Sequence, residues 1–430
     1  MESRPGEVTV NWQDVQPDSM DRSTSSIKIH VSELRVGMFV SKLDRDWLDT
    51  PFLVQGFMIE GPEDVDTVAE YAEYVWIDAV PTNWRPPEQR TGLKAAIRPK
   101  TTYINKVSAR EEHGQAIKVF RQARQLTKTL VDDIRLGGAI NTEQAKATVR
   151  TCVDSILRNP DALLWMTKIR NEDEYTAEHC LNVCILAIAF GRHLGMEEAD
   201  LEKLGLCGLL HDVGKMRVPP DILNKPGALT PKEFNMIRAH TVHGRNLLLS
   251  TPGIFNVVVD VAYTHHERID GTGYPRKLPA EKISRFARII ALVDAYDAMT
   301  ANRCYAEAIP TTSALKNIYK DRGTHFDEKL ALEFIKSIGL YPPGTIVQLR
   351  NELVGIVLET SKKYRHLPKV ILIKRGERPL KKEQVINLAD VERGQLKDDF
   401  LIQRALKDGT YGISVAEYRE KGLVFRAATP

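Results

Sequence analysis

The sequence predicts a mainly α-helical protein, in which a helical domain lies between a small N-terminal α+β module and a small C-terminal β-rich appendage. Three observations predict this architecture. Apolar residues recur with helical spacing from about residue 160 to residue 340. Segments of strand type precede that region from Ile27 onward and return after Gly339. A stretch rich in Pro, Arg and Lys separates the first two parts.

The chain has 430 residues, enough for roughly two to four domains. Its first 26 residues are polar and end in a run of serine and threonine, which is typical of a disordered tail. We therefore divide the chain into the tail at 1–26, the α+β module at 27–82, a linker at 83–108, connecting helices at 109–159, the main helical domain at 160–340 and the β-rich appendage at 341–430.

Local patterns support each element in order. In the module, Ile27, Ile29 and Val31 alternate with polar residues as in a half-buried strand, and further strand-type segments follow at GMFVSKL, PFLVQGFMIE and YVWIDAV. A short helix is expected between the last two, near residues 64–74. Asn141 starts a predicted helix, and Pro160 breaks it. In the appendage, TIVQLR, LVGIVLET and KVILIK are the predicted strands.

Composition excludes several classes of protein. The net charge of +3 and the isoelectric point of about 8.4 are too mild to indicate binding of a nucleic-acid polymer, but they are compatible with a small anionic ligand. No segment reaches the roughly 18 apolar residues of a membrane helix, and the N-terminus lacks a secretory pattern, so we expect a cytoplasmic protein. Five sparse cysteines do not predict a disulfide framework. Cys180 and Cys184 lie one helical turn apart, and we interpret them as small buried hydrophobes rather than metal ligands.

Histidines and aspartates concentrate in the helical domain. Seven of the 11 histidines fall within 88 residues: His179, His193, His211, His240, His243, His265 and His266. In RFARIIALVDAYDAMT, Asp294 and Asp297 lie on the same helical face as Phe286, Ile290 and Val293, which should be buried. A buried carboxylate is costly unless it is paired or bound to a metal ion. A salt bridge to arginine is the alternative, but the nearby histidines favour a metal site.

Other motifs add candidate ligands. The adjacent His211 and Asp212 project in different directions, so they can serve one metal and bridge to another. His240 and His243 share a helical face, and spacing alone leaves the choice between them open. The segment THHERIDGTGYP offers two adjacent imidazoles, followed by a tight loop that Gly271 and Gly273 permit.

Together these motifs resemble the HD superfamily of metal-dependent phosphohydrolases, and specifically its HD-GYP family. HDVGK and DAYDAMT resemble the metal-binding motifs of the superfamily, and HHERIDGTGYP resembles the HD-GYP signature. RAHTVHG and GTHFDEKLALEF resemble further family segments, and all occur in the family's order over about residues 165–340. The stretch from IKIHVSELRVGMFV to YVWIDA resembles a domain that often precedes HD-GYP domains in bacteria.

The resemblance implies a phosphodiesterase of bacterial second-messenger signalling that hydrolyses cyclic di-GMP to pGpG, GMP or both. It implies a centre of two or three divalent metal ions, commonly iron or manganese. Two adjacent metal ions can hold a bridging hydroxide that attacks the phosphate, and nickel and zinc also suit mixed imidazole and carboxylate ligands. Asp212 is the expected bridging carboxylate, and His240 is preferred to His243 by its place four residues before Gly244. The implied ligands are His179, His211, Asp212, His240, His265, His266 and Asp294.

The same resemblance implies residues that act on the substrate. Lys215 matches a position near the scissile phosphate, where it would offset charge on the phosphate oxygens. Asp297 matches a neighbouring position, where it would either orient the nucleophile or hold an imidazole ligand. Arg303 and Tyr305 match positions that contact the nucleotide. Gly273 and Tyr274 would shape the pocket wall, for nucleotide contact or for docking of a partner protein.

Two positions depart from the family pattern. Some members have a glutamate one turn before the first histidine, and it supplies a third metal; Tyr175 stands there, so we expect two metals. Ala306 replaces a common basic residue and removes one phosphate contact. These departures keep two alternatives open: a catalytically weak cyclic-dinucleotide receptor or scaffold, and a phosphodiesterase for another cyclic dinucleotide. The sequence leaves the oligomeric state open, a dimer included.

Overall fold

The computed structural model describes residues 27–44, 57–59, 61–78, 101–167, 175–225, 227–301, 308–361, 364 and 366–420. The predicted tail at 1–26, most of the predicted linker, and Arg303 and Tyr305 lie outside the described residues. The chain forms two compact units. One contains the described residues between 27 and 78, and the other contains the described residues between 101 and 420.

The first unit is built on an antiparallel sheet. Its strands are β1 (Ile27–His30), β2 (Phe39–Leu43), β3 (Phe57–Met58) and β4 (Tyr74–Asp78), in the order β1-β4-β2-β3. Helix α1 (Pro62–Tyr71) connects β3 to β4, at the place where the sequence predicts a short helix. Of the predicted strand segment PFLVQGFMIE, Phe57–Met58 forms the described strand.

The second unit begins with a helical array. Asn141 accepts a hydrogen bond from the backbone N–H of Gln144, which explains why a helix starts there, and Asn159 likewise caps the helix that begins at Pro160. The helices are α2 (Ala109–Arg135), α3 (Thr142–Arg158), α4 (Pro160–Met166), α5 (Tyr175–His193), α6 (Glu198–Leu210), α7 (Pro220–Leu223), α8 (Pro231–Arg238), α9 (His240–Leu249), α10 (Asn256–Thr264), α11 (Arg285–Thr300), α12 (Thr311–Lys320) and α13 (Glu328–Ile338), followed after a sheet by α14 (Val415–Glu420).

A close approach of α5 and α6 sets up the centre of this array. A Cβ atom at Gly208 would lie 2.7 Å from the Cα atom of Cys184, so only glycine lets α6 pack on the backbone of α5. The four described cysteines are buried free thiols, which agrees with their interpretation as small core residues. Among the described residues, no helix combines the length and apolar character needed to cross a membrane.

The last residues of the predicted linker are anchored on the helices. The Tyr103 hydroxyl donates to the carbonyl of Met196 at 2.9 Å, and the Thr101 amide donates to the carbonyl of Gly195 at 3.0 Å. Residues 101–108 are thus part of the packed helical unit, a difference from the linker that their composition suggests. The α2 helix follows directly, with Ser108 as its N-cap.

A five-stranded antiparallel sheet completes the second unit. Its strands are β5 (Ile346–Leu349), β6 (Leu353–Glu359), β7 (Lys369–Arg375), β8 (Arg378–Asn387) and β9 (Ile402–Leu406), in the order β8-β7-β6-β5-β9. Successive residues face opposite sides, so Ile371 packs into the helical core while Val370 packs into a second core on the outer face. The Trp165 indole of α4 donates to the carbonyl of Val357 at 3.3 Å and fastens the sheet to the helices.

Candidate metal centre

Two clusters of metal-binding side chains meet in the helical domain. In each cluster one ligand atom per residue lies within 4.8 Å of the others: one contains His179, His211 and Asp294, and the other contains Asp212, His240, His265 and His266. These are the seven ligands that the family resemblance implies. Helices α5, α6, α9, α10 and α11 contribute them, either directly or from the two residues that follow the helix.

Asp212 stands between the two clusters. Its Oδ2 atom lies 3.2 Å from Nε2 of His211 and 3.5 Å from Nε2 of His179. Its Oδ1 atom lies 3.3 Å from Nε2 of His240 and 3.7 Å from Nε2 of His265. One carboxylate thus presents one oxygen to each cluster, which is the geometry of a bridging ligand.

Backbone carbonyls fix the orientation of three imidazoles. Nδ1 of His211 donates to the Gly208 carbonyl at 2.8 Å, and Nδ1 of His240 donates to the Ile237 carbonyl at 2.6 Å. Nδ1 of His265 lies 3.1 Å from the carbonyl oxygen of Val261 in α10. A carbonyl oxygen can only accept, so the proton sits on Nδ1 and the lone pair of Nε2 is free to bind a metal ion.

His179 is oriented by a carboxylate instead. Its Nδ1 atom donates to Oδ2 of Asp297 at 2.8 Å, while its Nε2 atom lies 3.0 Å from Oδ1 of Asp294. Burial disfavours the charged imidazole, but hydrogen bonds to Asp212, Asp294 and Asp297 outweigh it and raise the pKa of His179 to about 10. The carboxylates therefore stabilise a positive charge at Nε2, the charge that a metal cation supplies.

Burial and charge keep the other ligands in the states that bind metals. Desolvation favours protonated Asp212, but His211, Lys215 and His179 lower the pKa of its carboxyl group well below the usual value. Desolvation lowers the pKa of His240 to about 3 and also lowers that of His266. A carboxylate anion and neutral imidazoles are the forms that coordinate a divalent cation.

The donor set fits two metal ions. Nε2 of His211 and Oδ1 of Asp212 are buried, and within the part of the chain that the structure describes neither has a hydrogen-bond partner. Such orphaned polar atoms are costly in a protein interior unless a ligand satisfies them. Mixed imidazole and carboxylate donors suit divalent iron, manganese, nickel and zinc.

A short 3₁₀ turn at Val213–Arg217 carries Lys215 beside the clusters. The Lys215 ammonium donates to Oδ2 of Asp212. A Cβ atom at Gly214 would overlap the carbonyl oxygen of His240 and the amide nitrogen of Gly244. The glycine of HDVGK therefore allows the turn to pack directly on α9, which brings Asp212 and His240 together.

Buried Glu267 holds the loop that follows the paired histidines. Its carboxylate accepts from the backbone N–H of Arg276 at 2.6 Å and of Leu278 at 2.9 Å. A Cβ atom at Gly273 would lie 2.5 Å from Cα of Glu267, so the loop needs glycine there. These two contacts indicate that Glu267 fixes the loop.

Tyr274 places an aromatic ring against the second cluster. Its ring stacks on the imidazole of His266, with centroids 4.7 Å apart and planes 29° from parallel. The guanidinium of Arg238 lies over the same tyrosine ring at 4.5 Å. The sequence reasoning missed Arg238, because its partner is distant along the chain and no local spacing signals the contact.

The remaining candidates occupy different places. His243 is exposed on α9, whereas His240 is fully buried in the second cluster. Arg268 of the HHERIDGTGYP segment lies at the loop surface, where its guanidinium is 3.2 Å from the Asp270 carboxylate. Arg303, Tyr305 and Ala306 lie outside the described residues, so the nucleotide contacts expected of Arg303 and Tyr305, and the phosphate contact expected to be missing at Ala306, remain predictions.

Comparison with known proteins places these features in a family. A model described as "HD domain" matches residues 159–330, and one described as "Domain of unknown function (DUF3391)" matches residues 26–145. The chain is 39% identical over 369 residues to "Cyclic di-GMP phosphodiesterase PA4108" of Pseudomonas aeruginosa, covering 84% of this chain and 88% of the relative. The chain belongs to the HD-GYP family.

Other similar proteins match smaller parts of this HD-GYP protein. "3'3'-cGAMP-specific phosphodiesterase 3" of Vibrio cholerae is 35% identical over 168 residues, which is 39% of this chain and 36% of the relative. A solved structure of Bd1817, a HDG"Y"P protein from Bdellovibrio bacteriovorus, covers 73% of this chain and 99% of its own, with 19% identity and a TM-score of 0.45. Family membership and the two ligand clusters together agree with a metal-dependent phosphodiesterase.

Proposed function

We propose that this protein hydrolyses cyclic di-GMP to pGpG, GMP or both, using two divalent metal ions. The observation that carries the proposal is Asp212, whose two oxygens face the two ligand clusters. A pair of adjacent cations suits phosphodiester hydrolysis, because attacking and leaving oxygens both need stabilisation. The extensive similarity to a protein named a cyclic di-GMP phosphodiesterase supports the choice of substrate.

The two ions, when bound, supply Lewis acidity that lowers the pKa of an attacking water and offsets the charge of the phosphate. Hydrolysis forms a bond from water oxygen to phosphorus, breaks the bond to the ribose oxygen and leaves a proton on that oxygen. The protein's own part is to position the reactants. Asp212, held by Lys215, fixes the spacing of the clusters, and the buried imidazoles exclude bulk water from one side of the site.

Lys215 is the described cation nearest to the shared carboxylate, and its side chain is 21% exposed. It can keep its contact with Asp212 and still present N–H groups to a phosphate oxygen, because an ammonium carries three donors. Asp297 acts one step further from the substrate, since its carboxylate contacts Nδ1 of His179. We therefore assign Lys215 to charge stabilisation and Asp297 to holding a ligand in place.

We propose iron or manganese as the resident metals, and the cytoplasm as the place of action. The first choice rests on the mixed imidazole and carboxylate donors, which suit borderline divalent metals. The second rests on the four described cysteines, which are free thiols as in proteins of reducing compartments.

The test is turnover by anaerobically purified protein loaded with iron or manganese. Cyclic di-GMP and 3'3'-cGAMP are supplied separately, and the products are separated by chromatography. The proposal expects pGpG or GMP from cyclic di-GMP with wild type and none with Asp212→Ala. Faster turnover of 3'3'-cGAMP would favour the second substrate, which the name of the Vibrio cholerae relative suggests. Binding of cyclic di-GMP without turnover would favour a receptor.

A further inference from the structure

Arg238 lies at the edge of the metal centre without belonging to it. It is the last residue of α8 and stands two positions before His240. Its side chain is half-buried, and its guanidinium carbon lies 4.5 Å from the ring centroid of Tyr274 and 5.7 Å from that of Phe234. Contact with two aromatic rings restricts where the guanidinium can be, which lowers the entropy cost of using it to bind a ligand.

The tyrosine ring connects Arg238 to the metal ligands. Tyr274 stacks on His266, and His266 lies in van der Waals range of His265 and His240 in the second cluster. Asp212, Asp294 and Arg238 all exert a Coulombic effect on the hydroxyl group of Tyr274. The ring of Tyr274 thus contacts both the Arg238 guanidinium and the His266 imidazole, and it lies close enough to the metal centre for its charges to act on the tyrosine.

Arg238 retains its donors for a ligand. Two nearby cations already have carboxylate partners: Lys215 contacts Asp212, and Arg268 contacts Asp270 at 3.2 Å. Across the described ranges, no carboxylate lies within ion-pair distance of the Arg238 guanidinium, which contacts the rings of Phe234 and Tyr274. A guanidinium has five N–H donors and binds phosphate through two of them at once.

The proposed substrate has a second negatively charged phosphodiester group, which the metal centre does not bind while it cleaves the first. A cyclic dinucleotide contains two phosphodiester groups, and the centre with Lys215 accounts for the one that is cleaved. The second phosphate stays intact during the first cleavage and keeps its negative charge. A cation outside the centre, held at the pocket edge by a rigid support, would stabilise that charge.

We infer that Arg238, supported by the ring of Tyr274, binds the phosphate of a cyclic dinucleotide that is not being cleaved. The inference rests on the proposed function and deepens it, because it assigns substrate binding to a residue of the RAHTVHG segment to which the sequence assigned no role. Arg238 would set affinity for the dinucleotide rather than the rate of bond cleavage. Substrates with a single phosphodiester group would gain little from it.

The test compares two substrates on the metal-loaded full chain. Cyclic di-GMP has two phosphodiester groups, and bis(p-nitrophenyl) phosphate has one. In Arg238→Gln, kcat/KM for cyclic di-GMP should fall at least about ten-fold, mainly through KM, because a charge-assisted contact is lost. The loss with bis(p-nitrophenyl) phosphate should be less than about three-fold, and metal content should match wild type. Arg238→Lys should recover part of the KM effect.

A matched control separates this role from a structural one. Arg245 on α9 lies over the ring of Tyr263 at 5.1 Å, a similar contact that does not involve Tyr274. Arg245→Gln should leave kcat/KM for cyclic di-GMP within about two-fold of wild type. Equal losses with both substrates in Arg238→Gln, or no loss with either, would overturn the inference while the proposed function stands. If wild type cleaves only bis(p-nitrophenyl) phosphate, the proposed substrate is wrong and the inference falls with it.

Discussion

Nδ1 of His179 lies 2.8 Å from Oδ2 of Asp297, while Nε2 of the same ring faces the metal cluster. The sequence left two roles open for Asp297, orienting the nucleophile or holding an imidazole ligand. This geometry supports the second role. The carboxylate fixes the tautomer and the angle of the imidazole and increases its basicity as a ligand.

Replacing Asp297 with asparagine should therefore weaken metal binding rather than the chemical step. We expect Asp297→Asn to reduce metal affinity by roughly 10- to 100-fold, and excess metal should restore most of kcat. Metal titration with parallel kinetics measures both quantities. The matched control is Glu333→Gln, because Glu333 contacts the His193 imidazole at 2.9 Å outside the centre. A low kcat at full metal occupancy would show that Asp297 acts on the nucleophile instead.

Glu267 should control the order of the loop that carries Tyr274. Glu267→Gln exchanges one acceptor oxygen for an amide donor, which would oppose one of the two backbone N–H groups that the carboxylate now satisfies. Hydrogen exchange at Arg276 and Leu278 should become faster by about ten-fold or more, and kcat/KM should fall. The charge is conserved in Glu267→Asp, but its shorter side chain should also lose one contact. Unchanged exchange at both amides would refute the assigned role.

Two glycine-to-alanine substitutions should have opposite effects on stability, because Gly214 packs against the backbone of α9 and Gly114 has open space around it. Gly214→Ala should destabilise the protein by several kcal/mol, on the order of other overpacked core changes, and should lower metal content, because its Cβ atom would overlap backbone atoms of His240 and Gly244. Gly114→Ala, in the interior of α2 with open space around it, should stabilise by up to about 1 kcal/mol. Thermal unfolding measures both. A Gly214→Ala protein with normal stability and metal content would contradict the packing.

Asp161 predicts a pH-dependent difference in stability. Burial outweighs its hydrogen bonds from Thr360 and raises the pKa of Asp161 from 3.8 to about 6. A raised folded-state pKa means that Asp161 contributes most to stability below about pH 4, and that this contribution is lost as the pH rises through about 6, by about 3 kcal/mol in total. An asparagine at this position carries no charge at any of these pH values, so it does not have this pH-dependent loss of stability.

Asp161→Asn should thus be more stable than wild type at pH 7.5, and the difference should shrink towards zero near pH 4. Denaturant unfolding at a series of pH values measures the difference directly, and comparing the two proteins cancels the titration of groups that they share. A difference that stays constant across this range would show that folding leaves the pKa of Asp161 unshifted, which would contradict this prediction.

Much of the centre could be predicted from the sequence, because its ligands lie on helices with regular spacing or in short motifs. Asp294 and Asp297 share the apolar face of α11, and both point into the helical array as their spacing predicts. Helical spacing alone could not choose between His240 and His243. The family motif favoured His240, and in the structure His240 is buried in the second cluster while His243 is exposed.

Contacts between distant parts of the chain could not be predicted. Arg238 and Tyr274 lie on separate elements, and Asp161 meets Thr360 across 199 positions. Such pairs depend on how the helices, the loop and the β5–β9 sheet pack, which no local pattern records. The anchoring of residues 101–108 on the helices is of the same kind, since Pro and Lys near a segment indicate a linker whether or not it packs.

The central claim is that Asp212 joins two metal sites, and the most direct test is to count metal ions in anaerobically purified protein. Mass spectrometry of the metal content should give about two ions per chain for wild type, one for each cluster. Asp212→Ala should retain fewer than about one, because both clusters lose a ligand, while circular dichroism shows the helices intact. Two ions retained in Asp212→Ala, or one or fewer in wild type loaded with excess iron or manganese, would contradict the bridged centre.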